Sequence, residues 1–164
     1  MKFDNTIVRT HYTSPMGGMI VAATDKGLAG VWFEGQKHLP GFDAWPVNDQ
    51  HPMLRTAVQQ LGEYFAGKRT QFDLPLDLQG GTQFQQSVWQ ALLRIPAGGT
   101  TSYGDISERI GKPAAVRAVG AAVGRNPVSI VVPCHRVLGR DGSLTGYAGG
   151  LERKSALLQL EGAL

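Results

Sequence analysis

The sequence predicts a mixed α/β (α+β) chain in two parts. Residues 1–81 form an N-terminal α/β domain with an antiparallel sheet, and residues 82–164 form a helical C-terminal domain with a helix-turn-helix. Three observations carry this. Short β-rich stretches broken by turn residues open the chain, apolar residues at helical spacing dominate after Gly80-Gly81, and a three-residue Gly-Lys-Pro turn separates two short helices.

The stretches "TIVRTHYTSP", "GGMIVAAT" and "GLAGVWFEG" are separated by Ser-Pro, Gly-Gly and Asp-Lys-Gly, as expected of antiparallel strands joined by tight turns. "HPMLRTAVQQLGEYFAGK" then places Leu54, Val58, Leu61 and Phe65 on one helical face, with Pro52 near its start and Gly67 past its end. "TQFDLPLDLQGG" reads as a further extended segment and a linker. In "TQFQQSVWQALLRIP", Thr82 is the expected cap, and Phe84, Val88 and Leu92 share a face that ends before Pro96. "SYGDISERIGKPAAVRAVGAAVGRNP" gives a short helix, the Gly111-Lys112-Pro113 turn, and a second helix with proline in its first turn. The chain closes on "GGLERKSALLQLEGAL", an amphipathic segment carrying Leu151, Leu157, Leu158 and Leu160, with Glu161 near its end.

Composition narrows the function classes. No apolar run approaches the roughly 18 residues of a membrane-spanning helix, and "MKFDNTIVRT" has no signal-peptide core, so a cytoplasmic protein without a membrane partner is expected. The single cysteine excludes an internal disulfide and any multi-cysteine zinc site. Histidines 11, 38 and 51 are scattered and read as surface or core residues, not metal ligands. Charge is uneven: residues 1–81 carry seven Lys/Arg against eight Asp/Glu, and residues 82–164 carry nine against five. Seven of those nine are arginines (94, 109, 117, 125, 136, 140 and 153), which suit a polyanion, although an ordinary solvated surface has the same composition.

The second helix of the pair, "AAVRAVGAAVG", lacks the long polar side chains that read base edges; Arg117 is its one exception. Gly120 in mid-helix costs on the order of 1 kcal/mol relative to alanine, which makes sense where another surface comes very close. That surface is either a sugar-phosphate wall or the protein's own core. The lone thiol lies in "NPVSIVVPCHRVLGRDG". The apolar "SIVV" run is expected to form a buried strand or extended segment stopped by Pro133, so that Cys134 and His135 fall in a turn where both side chains converge. A neighbouring imidazole can accept the proton of a thiol that is otherwise largely un-ionised at neutral pH. Asn126 brackets the turn. Glu161, a carboxylate that opposes the macrodipole at a helix C-terminus, breaks a local rule and is a candidate to orient His135. A buried hydrophobic cysteine and an exposed tail glutamate are the alternatives.

"PCHRV" at 133–137, preceded by "RAVGAAVGRNP" and followed by "GYAGG" and a Leu-rich helix ending in Glu, resembles the O6-alkylguanine-DNA alkyltransferases. "PMGGMIVAA" and "LGEYFAG" extend the resemblance more loosely into the N-terminal half, where it implies a ribonuclease H-like roll. It implies that Cys134 accepts the alkyl group irreversibly, His135 acts as its base through a water, Glu161 orients His135, Asn126 stabilises the turn, and Tyr103 contacts the flipped base. It further implies that Arg117 fills the space the base vacates, with Ala118, Gly120 and Ala121 on the minor-groove helix, and that Val137, Tyr147 and Ala148 line the pocket. Ala148 stands where some members carry serine, so a hydrogen bond to O6 there has to come from backbone. The partner implied is double-stranded DNA, bound by a monomer, with cooperativity on DNA left open. No metal or cofactor is implied. A thiol hydrolase using the same Cys-His-Glu set and a non-catalytic sensor of alkylated DNA are the rival readings.

Overall fold

The computed structural model describes residues 1–164. Three strands, β1 (Val8–Ser14), β2 (Gly17–Thr24) and β3 (Gly27–Phe33), form an antiparallel sheet in that order. Alternation sorts their side chains into two layers. Met19, Val21, Leu28, Val31 and Phe33 enter the main core, while Ile20, Ala22, Ala29 and Trp32 join Ile7 on the opposite face under Phe3, Phe42 and Trp45. Both faces are covered, so β2 and β3 read as almost continuous apolar runs.

Helix α1 (Pro52–Phe65) packs on the main-core face. His51 caps it, its Nδ1 accepting the Met53 N–H at 3.2 Å. The buried stripe is Leu54, Ala57, Leu61 and Tyr64. This differs from the expected Leu54-Val58-Leu61-Phe65 face, because the helix is rotated so that the Tyr64 hydroxyl, and not Phe65, points inward to Glu161.

The free edge of β3 is then used twice. Leu28 donates to the Pro75 carbonyl and accepts from Asp77 N–H, both at 2.8 Å, so the 72–78 segment runs parallel to it as an extended chain. Further along the same edge, Val31 donates to the Pro127 carbonyl at 2.9 Å and accepts from Ser129 N–H at 3.0 Å. The strand edge of the first half therefore holds the chain just before the thiol. One core of 27 buried residues spans both sides of Gly80-Gly81.

Helix α2 (Gln83–Leu92) begins with a capping box, in which Thr82 Oγ1 accepts Gln85 N–H at 3.1 Å and Gln85 Oε1 accepts Thr82 N–H at 3.0 Å. Its Trp89 donates from Nε1 to the Ala122 carbonyl at 2.9 Å, fixing it against α4 (Val116–Gly124). Short parallel strands β4 (Thr101–Ser102) and β5 (Val137–Leu138) pair, and α3 (Tyr103–Arg109) packs on α4 as the helix pair expected. Pro113, however, is not in the first turn of α4. Lys112 to Ala115 closes as a turn of its own, with Ala115 N–H on the Lys112 carbonyl at 2.9 Å, and the helix starts at Val116.

In α5 (Leu151–Leu160), Leu157 and Leu158 are buried as expected, but Leu151 and Leu160 are exposed and Lys154 is fully buried instead. A lysine can take that place because its ammonium finds three carbonyl acceptors, described below. No helix is long and apolar enough to cross a membrane.

The capping box holds the start of the helix pair's scaffold, so Thr82→Ala should cost about 1 kcal/mol. For a chain of this size that lowers the melting temperature by about 2–4 °C, checked by thermal unfolding followed by circular dichroism.

Candidate active site

The "SIVV" run is buried but is not a strand. Only Val128 bridges to the sheet, and residues 129–131 turn tightly. The reason is Asn126, whose buried side chain takes the place of a strand partner: Oδ1 accepts Val128 N–H at 3.0 Å and Nδ2 donates to the Val132 carbonyl at 2.7 Å. Ile130 sits between them at φ 74°, a left-handed conformation that is rare for a β-branched residue and costs about 1–3 kcal/mol. The bond from Val131 N–H to the Ser129 carbonyl at 2.9 Å closes a γ-turn around it. Pro133, at φ −83° and ψ 65°, is the centre of a second, inverse γ-turn closed by Cys134 N–H on Val132 O at 2.8 Å. Cys134–Arg136 follow as one 3-10 turn. Consecutive side chains in this turn no longer point to opposite faces, as the sequence requires of a Cys-His pair.

His135 is fully buried, and its Nε2 lies 2.8 Å from Glu161 Oε2. Glu161, the residue that caps α5, also accepts from Tyr64 Oη at 2.6 Å and from Arg136 Nε and Nη2 at 2.8 and 2.9 Å. Burial alone would raise its pKa, but the hydrogen bonds from His135, Arg136 and Tyr64 outweigh it and hold it at about 2. An ionised carboxylate accepts only, so Nε2 of His135 carries a proton. Burial lowers the His135 pKa against the pull of Glu161, so the ring is neutral at pH 7 and its Nδ1 is a free lone pair, with no protein partner. Cys134 is buried too. Desolvation raises its pKa, while the Asn126 amide and the charge of Lys154 pull the other way.

Cys134 lines a cavity of about 180 Å³ that is also bordered by Tyr103, Gly120, Tyr147 and Ala148, and by His38 from the N-terminal half. A cavity of about 150 Å³ already admits benzene, so this one is of the scale of a single heteroaromatic base. The Tyr147 hydroxyl is buried without a partner. Tyr103, the first residue of α3, accepts the Thr145 hydroxyl at 3.4 Å. The 145–149 wall is held by Lys154, whose Nζ donates to the carbonyls of Val137, Thr145 and Gly146 at 2.6, 2.5 and 3.2 Å. Desolvation brings this lysine down to about 8. Gly149 is needed in this wall because a Cβ there would come within 2.8 Å of Tyr147 and 3.0 Å of Phe33.

Of the residues named from sequence, Cys134, His135, Glu161 and Asn126 form one bonded unit or adjoin it, and Tyr103, Gly120, Tyr147 and Ala148 border its cavity. Arg117, Ala118 and Ala121 are on the exposed face of α4, outside it. Val137 is not in the cavity wall: it is fully buried in β5, where pairing with Thr101 turns it into the core. Two of the seven arginines also leave the expected polyanion face. Arg136 is buried on Glu161 and donates to the Ile95 carbonyl at 2.5 Å, because a buried carboxylate requires a cation. Arg153 lies 4.5 Å over the Phe33 ring and bonds the Met16 and Gly149 carbonyls. Tyr64 and Lys154 are not among the residues named from sequence, and Arg136 is named there only as one of the seven arginines suited to a polyanion. No cluster of three or more His, Cys, Asp or Glu side chains stands ready to hold a metal.

Replacing the carboxylate by Glu161→Gln leaves Arg136 buried without its counter-ion and should cost about 3–5 kcal/mol at neutral pH. The folded pKa, about 2, lies below the ordinary 4.5, so the carboxylate's stabilisation is complete above pH 4.5 and is lost as pH falls toward 2. The gap in melting temperature between wild type and variant should therefore be smaller at pH 3 than at pH 7. A gap independent of pH would contradict this role.

Comparison with known proteins gives a consistent result. Residues 83–163 match the family model described as 6-O-methylguanine DNA methyltransferase, DNA binding domain, and residues 7–78 match that protein's ribonuclease-like domain. A methylated-DNA–protein-cysteine methyltransferase of Mycolicibacterium paratuberculosis is 51% identical over 148 residues, covering 90% of this chain and 88% of its own. One from Methanosarcina acetivorans is 48% identical, covering 93% of this chain and 96% of its own. The crystal structure of the Mycobacterium tuberculosis O6-methylguanine methyltransferase superposes with a TM-score of 0.86 at 47% identity, over 96% of this chain and 93% of that one. A structure of Mycobacterium tuberculosis OGT in complex with DNA gives 0.85 at 46% identity, over 96% and 92%. Matched from end to end by both domains in order, and half identical to relatives over nine-tenths of its length, the chain belongs to the methylated-DNA–protein-cysteine methyltransferase family.

Proposed function

We propose that this chain repairs DNA by moving the alkyl group from O6 of guanine onto its own Cys134, once per molecule. The observation that carries this reading is the fixed tautomer of His135: with Nε2–H committed to Glu161, the free Nδ1 is a base on the residue next to a buried thiol, and that thiol lines a base-sized cavity. His135 takes the thiol proton through a bridging water. Sγ then forms a bond to the alkyl carbon as the carbon–O6 bond breaks, and the electron pair leaves on guanine, which takes up a proton. The thioether has no carbonyl or other polarised centre for water to attack, so the step is not reversed. A thiol hydrolase needs that second step, and a sensor of alkylated DNA does not need Cys134.

The target atom is inaccessible inside a stacked duplex, so the guanine must be flipped into the cavity. There Tyr103 contacts the base, Tyr147 flanks it, and O6 meets backbone at Ala148, which has no hydroxyl to offer. Helix α4 lies along the minor groove with Arg117 in the space the base leaves. Gly120 supports this placement, because a Cβ there would meet only the Tyr103 ring at an ordinary 3.8 Å. The protein's own core does not demand a glycine; a surface pressing from outside does. The exposed Ala118 and Ala121 extend that small-residue face. The two halves, 1–81 and 82–164, act as scaffold and DNA-binding domain of a monomer in the reducing cell interior, with no cofactor.

Incubation with excess DNA containing O6-methylguanine should add one methyl per protein, located on Cys134 by mass spectrometry of peptides. Product formation beyond one equivalent would overturn the reading, and Cys134→Ser should abolish transfer. Arg117→Ala should slow transfer from duplex DNA more than transfer from a free base analogue, by up to a factor reflecting the few kcal/mol of base unstacking. Equal losses on both substrates would rule out the role given to Arg117.

A further inference from the structure

The reaction cavity has a neighbour. Beside it lies an open depression of about 780 Å³, floored by Phe3, Trp32 and Trp45 and bordered by Leu39 and Arg125. His38 borders both spaces, and no other residue does. It lies in the long loop that leaves β3 at Phe33, and the start of that loop is firmly held. The buried side chain of Gln36 accepts Phe33 N–H on Oε1 at 2.8 Å and donates from Nε2 to the Lys37 carbonyl at 3.1 Å. Lys37 N–H in turn donates to the Ala148 carbonyl at 3.0 Å. His38 itself is solvent-exposed and has φ 59°, a left-handed conformation uncommon outside glycine.

The position of this loop relative to a bound base follows from the proposed function, on which the inference rests. Ala148 meets the O6 edge, so the Lys37–Ala148 bond brings the loop to the side of the base that carries the alkyl group. Lys37 and His38 line the same cavity as Cys134 and Ala148. Partial desolvation, with the charges of Arg125 and Lys37, pushes the His38 pKa below its ordinary 6.5, so the loop presents an uncharged flat ring at neutral pH. A methyl group fits on the near side of such a ring. A larger group must pass it to reach the aromatic floor beyond.

We propose that His38 is a partition between the reaction cavity and the aromatic depression, and that it sets the upper size of the O6 substituent this protein accepts. The N-terminal half thereby contributes a specificity-determining residue to a reaction whose other groups come almost entirely from the C-terminal half. The substrates held back are guanines carrying aryl-methyl groups. Opening the partition should let such a group lie against Trp32 and Trp45.

The test compares single-turnover transfer rates from identical duplexes containing O6-methylguanine or O6-benzylguanine, for wild type, His38→Gly and His38→Asn. Glycine and asparagine both tolerate the left-handed backbone, so neither variant adds strain. The benzyl-to-methyl rate ratio should rise about tenfold in His38→Gly, the lower end of what an apolar wall discriminates, and by less in His38→Asn. Because the readout is a ratio within each variant, a partly unfolded preparation does not distort it. A wild type that takes the methyl group, with the same ratio in all three proteins, overturns the partition alone. A wild type that takes neither group overturns the alkyl-transfer reading and the partition with it.

Discussion

The carboxylate of Glu161 is the constraint on which the site depends. An ionised group with only 2% of its side chain exposed is costly unless it is well hydrogen-bonded, and here four donors from three residues bond it, three on Oε2 and one on Oε1. Those residues come from distant parts of the chain: Tyr64 from the helix that packs on the sheet, and His135 and Arg136 from the turn after the thiol. Satisfying one buried charge therefore fixes α1, the Cys134 turn and the end of α5 relative to one another. It also determines the chemistry, because the proton it demands on His135 Nε2 is what leaves Nδ1 free.

The second constraint is the backbone before the thiol. Two γ-turns within six residues, one of them around a left-handed isoleucine, are not what the local sequence prefers. They persist because the surroundings over-determine them. Asn126 bonds both ends of the turn, and the outer edge of β3 supplies Val31 as a backbone partner on each side of Val128. The β-branched run that suggests a strand is thus bent by polar contacts that cost little locally and are buried globally. The sheet of the N-terminal half contributes to the site in the same way, as a template for the turn and, through Phe33 and Gln36, as the base of the loop that carries His38.

These facts explain what could and could not be read from sequence. The strands, the helices, the Thr82 cap and the Cys-His turn rest on contacts between residues a few positions apart, and such contacts leave a local signature. Glu161 was legible for the opposite reason: it violates a local rule, and the violation marks a tertiary partner. Tyr64 and Lys154 leave no mark. A tyrosine at that spacing is an ordinary core residue, and a lysine in "LERKSALL" is an ordinary surface one, until a carboxylate 97 positions away and three loop carbonyls are brought beside them. The arginines show the same limit. Their count suggested one polyanion face, but composition cannot say that Arg136 faces inward to a buried charge while Arg117 faces out.

Burial of Cys134 runs against the nucleophilic role proposed for it, since desolvation keeps the thiol protonated and a protonated thiol is a poor nucleophile. For a group that the proposed reaction uses only once, the sign is favourable. A thiolate formed at rest would react with any small electrophile that entered the cavity, and each such event would consume the molecule. A thiol held neutral reacts only when its proton has somewhere to go and the alkyl carbon is already in line. The nearby Asn126 amide and the charge of Lys154 lower the cost of that ionisation without removing it. Selectivity then resides in the cavity walls, which decide which electrophile is held against the sulfur, and no longer in the reactivity of the sulfur itself.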